Sequence, residues 1–123
     1  MIKLIVCVKR KPGLTREEFS QYWREQHGPL VKSVPEFMRH VRKYGQCHLT
    51  EETASGGALF GSVPDYDGVG ELWFDSPETM QQAFNEPRYL EIIRPDELKF
   101  IDHANCLSFQ TEELIMSDSM ADG

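Results

Sequence analysis

His27 is followed at once by Gly28 and Pro29, and Phe19, Tyr22 and Trp23 precede it at the three- and four-residue spacing of one helix face. A ring that titrates at about pH 6.5 therefore stands beside an aromatic stripe, where it can give or take a proton at neutral pH. Proton-transfer chemistry needs a base and an acid in one pocket, and His27, Tyr44, His48, Asp67, Glu71 and His103 are the groups that can serve. His27 is the first choice as general base or acid, with Asp67 and Tyr44 as catalytic companions and Trp23, His48, Glu71 and Trp73 as substrate contacts. Tyr44 and His48 fall four residues apart on one strand face, about 13 Å along an extended chain, so they can meet two ends of one small aromatic molecule.

Each of these residues also has a purely structural reading. Pro29 disfavours a helical Gly28, so the helix is expected to stop or bend at His27, where a protonated ring with a raised pKa would cap the last carbonyls. The aromatic stripe is spaced as core. Tyr44 and His48 can be surface or interface residues, His103 a solvated strand entry, Asp67 a turn cap through Asp67-Gly68, and Glu71 a dimer-contact charge.

The 123 residues suit one domain with one core, and 40% hydrophobic with 27% charged residues is an ordinary globular composition. A formal charge of −7 argues against nonspecific nucleic-acid binding, and Arg39, Arg42 and Lys43 are too few to reverse it. No run reaches the roughly 18 apolar residues of a membrane span, and residues 1–9 lack the pattern of a signal peptide, so a cytoplasmic protein is expected. Cys7, Cys47 and Cys106 are odd in number and lack metal-ligand spacing, and buried reduced thiols are expected. His27, His48, His103, Asp67 and Glu71 show no metal-motif spacing either, and no glycine-rich phosphate loop is present, so neither metal nor nucleotide cofactor is expected.

The elements that position these residues emerge from periodicity. Residues 2–10 alternate as a strand with apolar groups on both faces, and so a central one. Thr15 and Glu18 have capping-box spacing ahead of the aromatic helix. Residues 39–49 form a second strand, with Tyr44, Gln46 and His48 opposed to Gly45, Cys47 and Leu49. Residues 50–65 read as a long irregular loop, a possible lid, and 66–74 as a third strand in which Gly68 and Gly70 admit another backbone or a ligand. Asp75-Ser76-Pro77-Glu78 starts a helix, Pro87 and Pro95 divide the chain beyond it into shorter helical pieces, and 103–112 is the fourth strand. This β-α-β, loop, β-α-β order gives an α+β, ferredoxin-like, four-stranded antiparallel sheet with helices on one face, over residues 1–113, with a tail at 114–123. A homodimer would cover the bare sheet face and leave a ligand pocket between the two sheets.

Lys11-Pro12-Gly13-Leu14-Thr15, Glu18-Phe19, Tyr22-Trp23 and His27-Gly28-Pro29-Leu30-Val31 resemble the EthD family, as do Tyr66 to Ser76 and Phe109 to Glu113. The resemblance implies a dimeric α+β barrel, with His27 and, less specifically, Asp67 as pocket residues. The functions it implies are diverse: an accessory protein of ethyl tert-butyl ether degradation, a methylmuconolactone methylisomerase, and fungal dehydratases or decarboxylases of aromatic polyketides. A haem role, as in other branches of the superfamily, would need His48 or His103 as axial ligand. The expectation is a cofactor-independent lyase or isomerase moving a proton on a small aromatic, lactone or polyketide-like acid. The alternative is a non-catalytic accessory or binding protein for a hydrophobic intermediate. A catalytic pocket should bring His27 within hydrogen-bond reach of a second titratable group such as Asp67 or Tyr44, whereas a carrier would be lined by apolar side chains alone.

Overall fold

The capping box forms as the spacing requires. Thr15 Oγ1 accepts from the Glu18 backbone N–H at 3.1 Å, and the Glu18 carboxylate accepts from the Thr15 N–H at 2.9 Å. These bonds also hold the Glu18 carboxyl below its usual range. Thr15→Ala is expected to destabilise the protein by about 1 kcal/mol in a urea titration.

The structure, a computed structural model, describes residues 1–120. Strands β1 (Ile2–Val8), β2 (Lys43–His48), β3 (Gly68–Phe74) and β4 (Leu107–Thr111) form one antiparallel sheet in the order β2-β3-β1-β4, which makes β1 central. In register, Leu4 faces Leu72 and Gln110, and Tyr44 faces Leu72. The strands are shorter than their periodicity suggested. Residues 39–42 carry the turn that follows helix α3 (Pro35–Met38), and His103–Asn105 forms a 3₁₀ turn ahead of β4.

Of the stop or bend expected at His27, the chain does not stop, but its regular α-helical bonding is interrupted there. Helix α1 (Arg16–Tyr22) passes through a π-helical turn, Trp23–His27, directly into α2 (Gly28–Lys32), and Gly28 is helical at φ −55° and ψ −52°. A proline in a helix lacks an N–H and crowds the carbonyl four residues back, and a widened turn relieves both problems. Here the Gly28 N–H bonds the Trp23 carbonyl, five residues back. The same device recurs at Pro95. A second π turn, Tyr89–Ile93, leads into α6 (Arg94–Phe100), with the Arg94 N–H bonded to the Tyr89 carbonyl.

The loop at 50–65 is not wholly irregular, because Thr50 accepts from the Thr53 N–H and starts the short helix α4 (Glu51–Ala54). Ser76 likewise caps α5 (Pro77–Phe84). Glu113 binds Lys3 at 2.9 Å and the Trp73 indole at 3.2 Å, and residues 114–120 have neither helix nor strand. Residues 121–123 of the expected tail lie outside the described residues.

The helices cover one sheet face and enclose two core clusters. One holds Leu4, Val31, Phe37, Leu72 and Phe74, and the other Val8, Phe19, Trp23 and Phe100. What approaches the strand glycines is Trp23: a Cβ on Gly68 would lie 2.7 Å from the indole Cζ3 and 2.6 Å from the Cys47 carbonyl oxygen. The three cysteines are free, but Cys47 is exposed and the others only half-buried, since strand alternation sends Cys7 and Cys47 to the bare face. No helix among the described residues is long and apolar enough to cross a membrane.

Candidate active site

The two π-turned helices meet through their polar side chains. His27 ends the first π turn and Asp96 lies just past the second, and His27 Nδ1 donates to Asp96 Oδ2 at 2.8 Å. Tyr22, one turn before His27, donates its hydroxyl to the other carboxylate oxygen at 2.5 Å. Beneath them lies Phe100, its ring centroid 4.9 Å from that of His27. Asp96 thus accepts from two fixed donors, which defines the imidazole tautomer with its proton on Nδ1.

The other ring nitrogen is open. His27 Nε2 bonds no described residue, yet no buried polar side-chain atom among the described residues lacks a partner, so Nε2 opens onto the cavity that His27 lines. The expected helix-end cation is therefore corrected. Burial pushes the His27 pKa below its ordinary value, and Asp96 only partly restores it. That direction favours the uncharged ring, with its Nε2 lone pair facing the cavity.

The cavity, about 460 Å³, lies between the sheet and the helices of the chain. Leu4, Val6, Leu72, Met80 and Phe84 supply its apolar walls, and Trp23, Tyr44 and Tyr89 its aromatic ones. Its second polar cluster is Glu97, which accepts from the Tyr89 hydroxyl at 3.0 Å and pairs with His103 Nε2 at 3.1 Å. Burial pushes the Glu97 carboxyl up to about 7. His103, expected as a solvated terminus, lines the cavity, and its pKa is lowered by burial and Arg94. A neutral His103 beside a Glu97 that keeps its proton near neutrality is the arrangement these directions describe.

Tyr44 and His48 do share a strand face, turned toward the helices. Tyr44 lines the cavity, and burial raises its phenol pKa. His48 stacks on Trp23 with centroids 4.6 Å apart, and both its nitrogens are engaged, Nδ1 with Ser20 and Nε2 with Gln46 at 2.8 Å. Neither nitrogen is free for an axial metal bond.

The remaining candidates lie elsewhere. Asp67 binds Arg10 through its side chain at 2.7 Å and backbone at 2.9 Å, and lines a separate cavity under the 50–65 loop. Glu71 and Trp73 occupy the bare sheet face, where Lys3 pairs with Glu71 at 3.1 Å and Lys3 and Lys43 lie over the indole. Asp96 and Glu97 do not stand out in the sequence. Two acids after a proline look like favourable charges at a helix start, and only the fold brings them to His27. Among the described residues no three His, Cys, Asp or Glu side chains gather as metal ligands.

Known proteins share this architecture. An EthD family protein of Bacillus halodurans superposes with a TM-score of 0.66 at 21% identity, covering 93% of this chain and 99% of that one. An EthD-like protein of Ralstonia eutropha gives 0.66 at 18% identity, covering 94% of each chain. At these identities the likeness establishes the fold. By sequence, the chain is 28% identical over 107 residues to the conidial pigment biosynthesis dehydratase EthD of Metarhizium robertsii, covering 83% of this chain and 75% of that protein. It is 30% identical over 103 residues to the dehydratase ustZ of Ustilaginoidea virens, covering 76% and 69%. The EthD domain model matches residues 11–104, and with these relatives it shows that the chain belongs to the EthD family.

Proposed function

We propose that this protein is a cofactor-independent, dehydratase-type lyase. Its substrate is a β-hydroxy carbonyl compound fused to an aromatic ring, of the polyketide kind that the family resemblance implies, and the dehydratase names of the relatives, one of them of conidial pigment biosynthesis, support the reaction type. The observation that carries this reading is the His27–Asp96 bond on a cavity that also holds Glu97. A titratable partner for His27 favours catalysis over carriage. That partner is Asp96, not Asp67.

In this reading His27 Nε2 removes the proton from the carbon next to the carbonyl, and the Tyr44 hydroxyl donates to the enolate oxygen that develops. Protonated Glu97 then gives its proton to the departing hydroxyl, which leaves as water while the C=C bond forms. Solvent exchange afterwards returns the proton from His27 to Glu97. Among the described residues no lysine or arginine lines the cavity, and Arg94 acts on Glu97 and His103 from outside it, so an uncharged ring system fits better than the carboxylic acid expected from sequence. The bare face, with Leu107 and Phe109 half-exposed, is where a second copy would pack to form a homodimer.

Glu97→Gln tests the acid. Turnover requires neutral His27 and protonated Glu97, so the wild-type rate should rise as pH climbs through the lowered His27 pKa and fall through about 7 as Glu97 ionises. The variant should lose about 10²-fold in turnover and the descent near pH 7 with it. The stability effect has the opposite sign. A raised carboxyl pKa contributes stability below the unfolded value of 4.5 that is lost as pH rises through about 7. At pH 8 the variant should therefore be more stable by on the order of 2 kcal/mol, after discounting for the His103 pairing. Dehydration of aromatic β-hydroxy ketones, monitored by absorbance of the conjugated product, and thermal melts at two pH values check both halves. A rate profile unchanged by the substitution would remove Glu97 from the mechanism.

A further inference from the structure

A side chain outside the cavity lining determines which way the Tyr44 hydroxyl points. Gln46 Nε2 lies 2.9 Å from the Trp23 carbonyl oxygen and 3.0 Å from the Tyr44 hydroxyl, while Gln46 Oε1 lies 2.8 Å from His48 Nε2. A backbone carbonyl only accepts, so the atom facing Trp23 is the amide nitrogen and the amide has one orientation. Both amide protons are then used, one on Trp23 and one on the Tyr44 oxygen. Gln46 Oε1 must accept from a protonated His48 Nε2, which leaves a neutral His48 to accept at Nδ1 from Ser20.

The chain Ser20, His48, Gln46, Tyr44 thus runs in one direction and ends at the cavity. Because the Tyr44 oxygen accepts from Gln46, with the Trp23 indole N–H as a further donor toward it, and no described residue accepts its proton, that proton is left to donate into the cavity. Two features of the fold make room for the amide. The π turn presents the Trp23 carbonyl to it, and Gly28 has no side chain where a Cβ would lie 2.9 Å from Gln46 Nε2.

We propose that Gln46 is a positioning residue that fixes the Tyr44 hydroxyl as a hydrogen-bond donor to an oxygen gaining negative charge in the cavity. This rests on the proton-transfer reading above. It accounts for a half-buried glutamine with every hydrogen-bonding atom engaged.

The test is a double-mutant cycle on binding of 4-nitrophenolate, an uncleavable stand-in for an enolate, read from its visible absorbance. Tyr44→Phe should weaken phenolate binding about tenfold relative to the neutral phenol. Gln46→Met should do the same, and Gln46→Glu, which keeps the shape but turns the Tyr44 hydroxyl toward a carboxylate, should weaken it at least as much. In a Tyr44→Phe background neither Gln46 substitution should have a further effect, because Gln46 acts through Tyr44. Full additivity, a phenolate preference retained in Gln46→Met, or no phenolate binding by the wild type would each overturn the assignment. Thermal melts of the Glu variant separate positioning from a folding defect. Since the readout is equilibrium binding, a failed cycle with His27-dependent turnover intact rejects the role of Gln46 alone. A wild type inert toward every β-hydroxy ketone rejects the dehydratase reading alone.

Discussion

His27→Ala is expected to lower dehydration turnover by about 10²- to 10⁴-fold while the protein remains folded. The magnitude reflects what is removed. Nε2 is the open nitrogen on the cavity, and its basicity depends on the proton held on Nδ1 by Asp96 at 2.8 Å. Nothing else in the lining can take over, because Glu97 is needed protonated and His103 is committed to it at 3.1 Å. The fold should survive, since the π turn is made by backbone bonds and Asp96 keeps Tyr22 as a donor. Circular dichroism should match the wild type, and added imidazole should restore part of the rate. Undiminished turnover in the variant would remove His27 from the chemistry.

Phe100→Ala should produce the largest loss of stability, about 3–5 kcal/mol, seen as a drop in Tm of roughly 10–20 °C. Phe100 is 1% exposed and lies among Phe19, Tyr22 and His27, with centroid separations of 5.6, 5.0 and 4.9 Å. Removing the ring leaves a void that three aromatic side chains on one rigid helix cannot close. The domain's total stability is of the order of 5–15 kcal/mol, so the variant should sit close to its folding threshold. Activity at low temperature should fall as well, because the ring supports the face of His27. A melting point within a few degrees of wild type would show that the site collapses more easily than its packing suggests.

Much of this fold is legible in sequence because its signals are local. Thr15 and Glu18 are three residues apart and make their capping box regardless of the rest of the chain. Strand alternation likewise puts Tyr44, Gln46 and His48 on one side and Glu71 with Trp73 on the other. The site is less legible because its bonds are not local. Asp96 is 69 positions from His27, and nothing in residues 94–97 themselves distinguishes a catalytic partner from a helix-start charge. The charge state of His27 is left open by the sequence for a related reason. The proline rule predicts a wet helix end and a cation, whereas the π turn keeps the ring inside a packed helix, where burial outweighs its carboxylate partner. Asp67 shows the converse, a motif residue whose carboxylate is spent on Arg10.

The π turn at Trp23–His27 also bears on how such a protein can evolve. A π turn holds one residue more than the α turn it replaces, so losing a single residue there would rotate the preceding aromatic face by about 100° relative to Gly28 and the rest of the chain. The same loss would bring back the clash that Pro29 creates in a regular helix. Insertion and proline therefore hold each other in place, and a lineage could discard one only by discarding both. Among descendants of such a chain, the length of this one turn would separate those that keep the imidazole in register with Asp96 from those that retain only the scaffold.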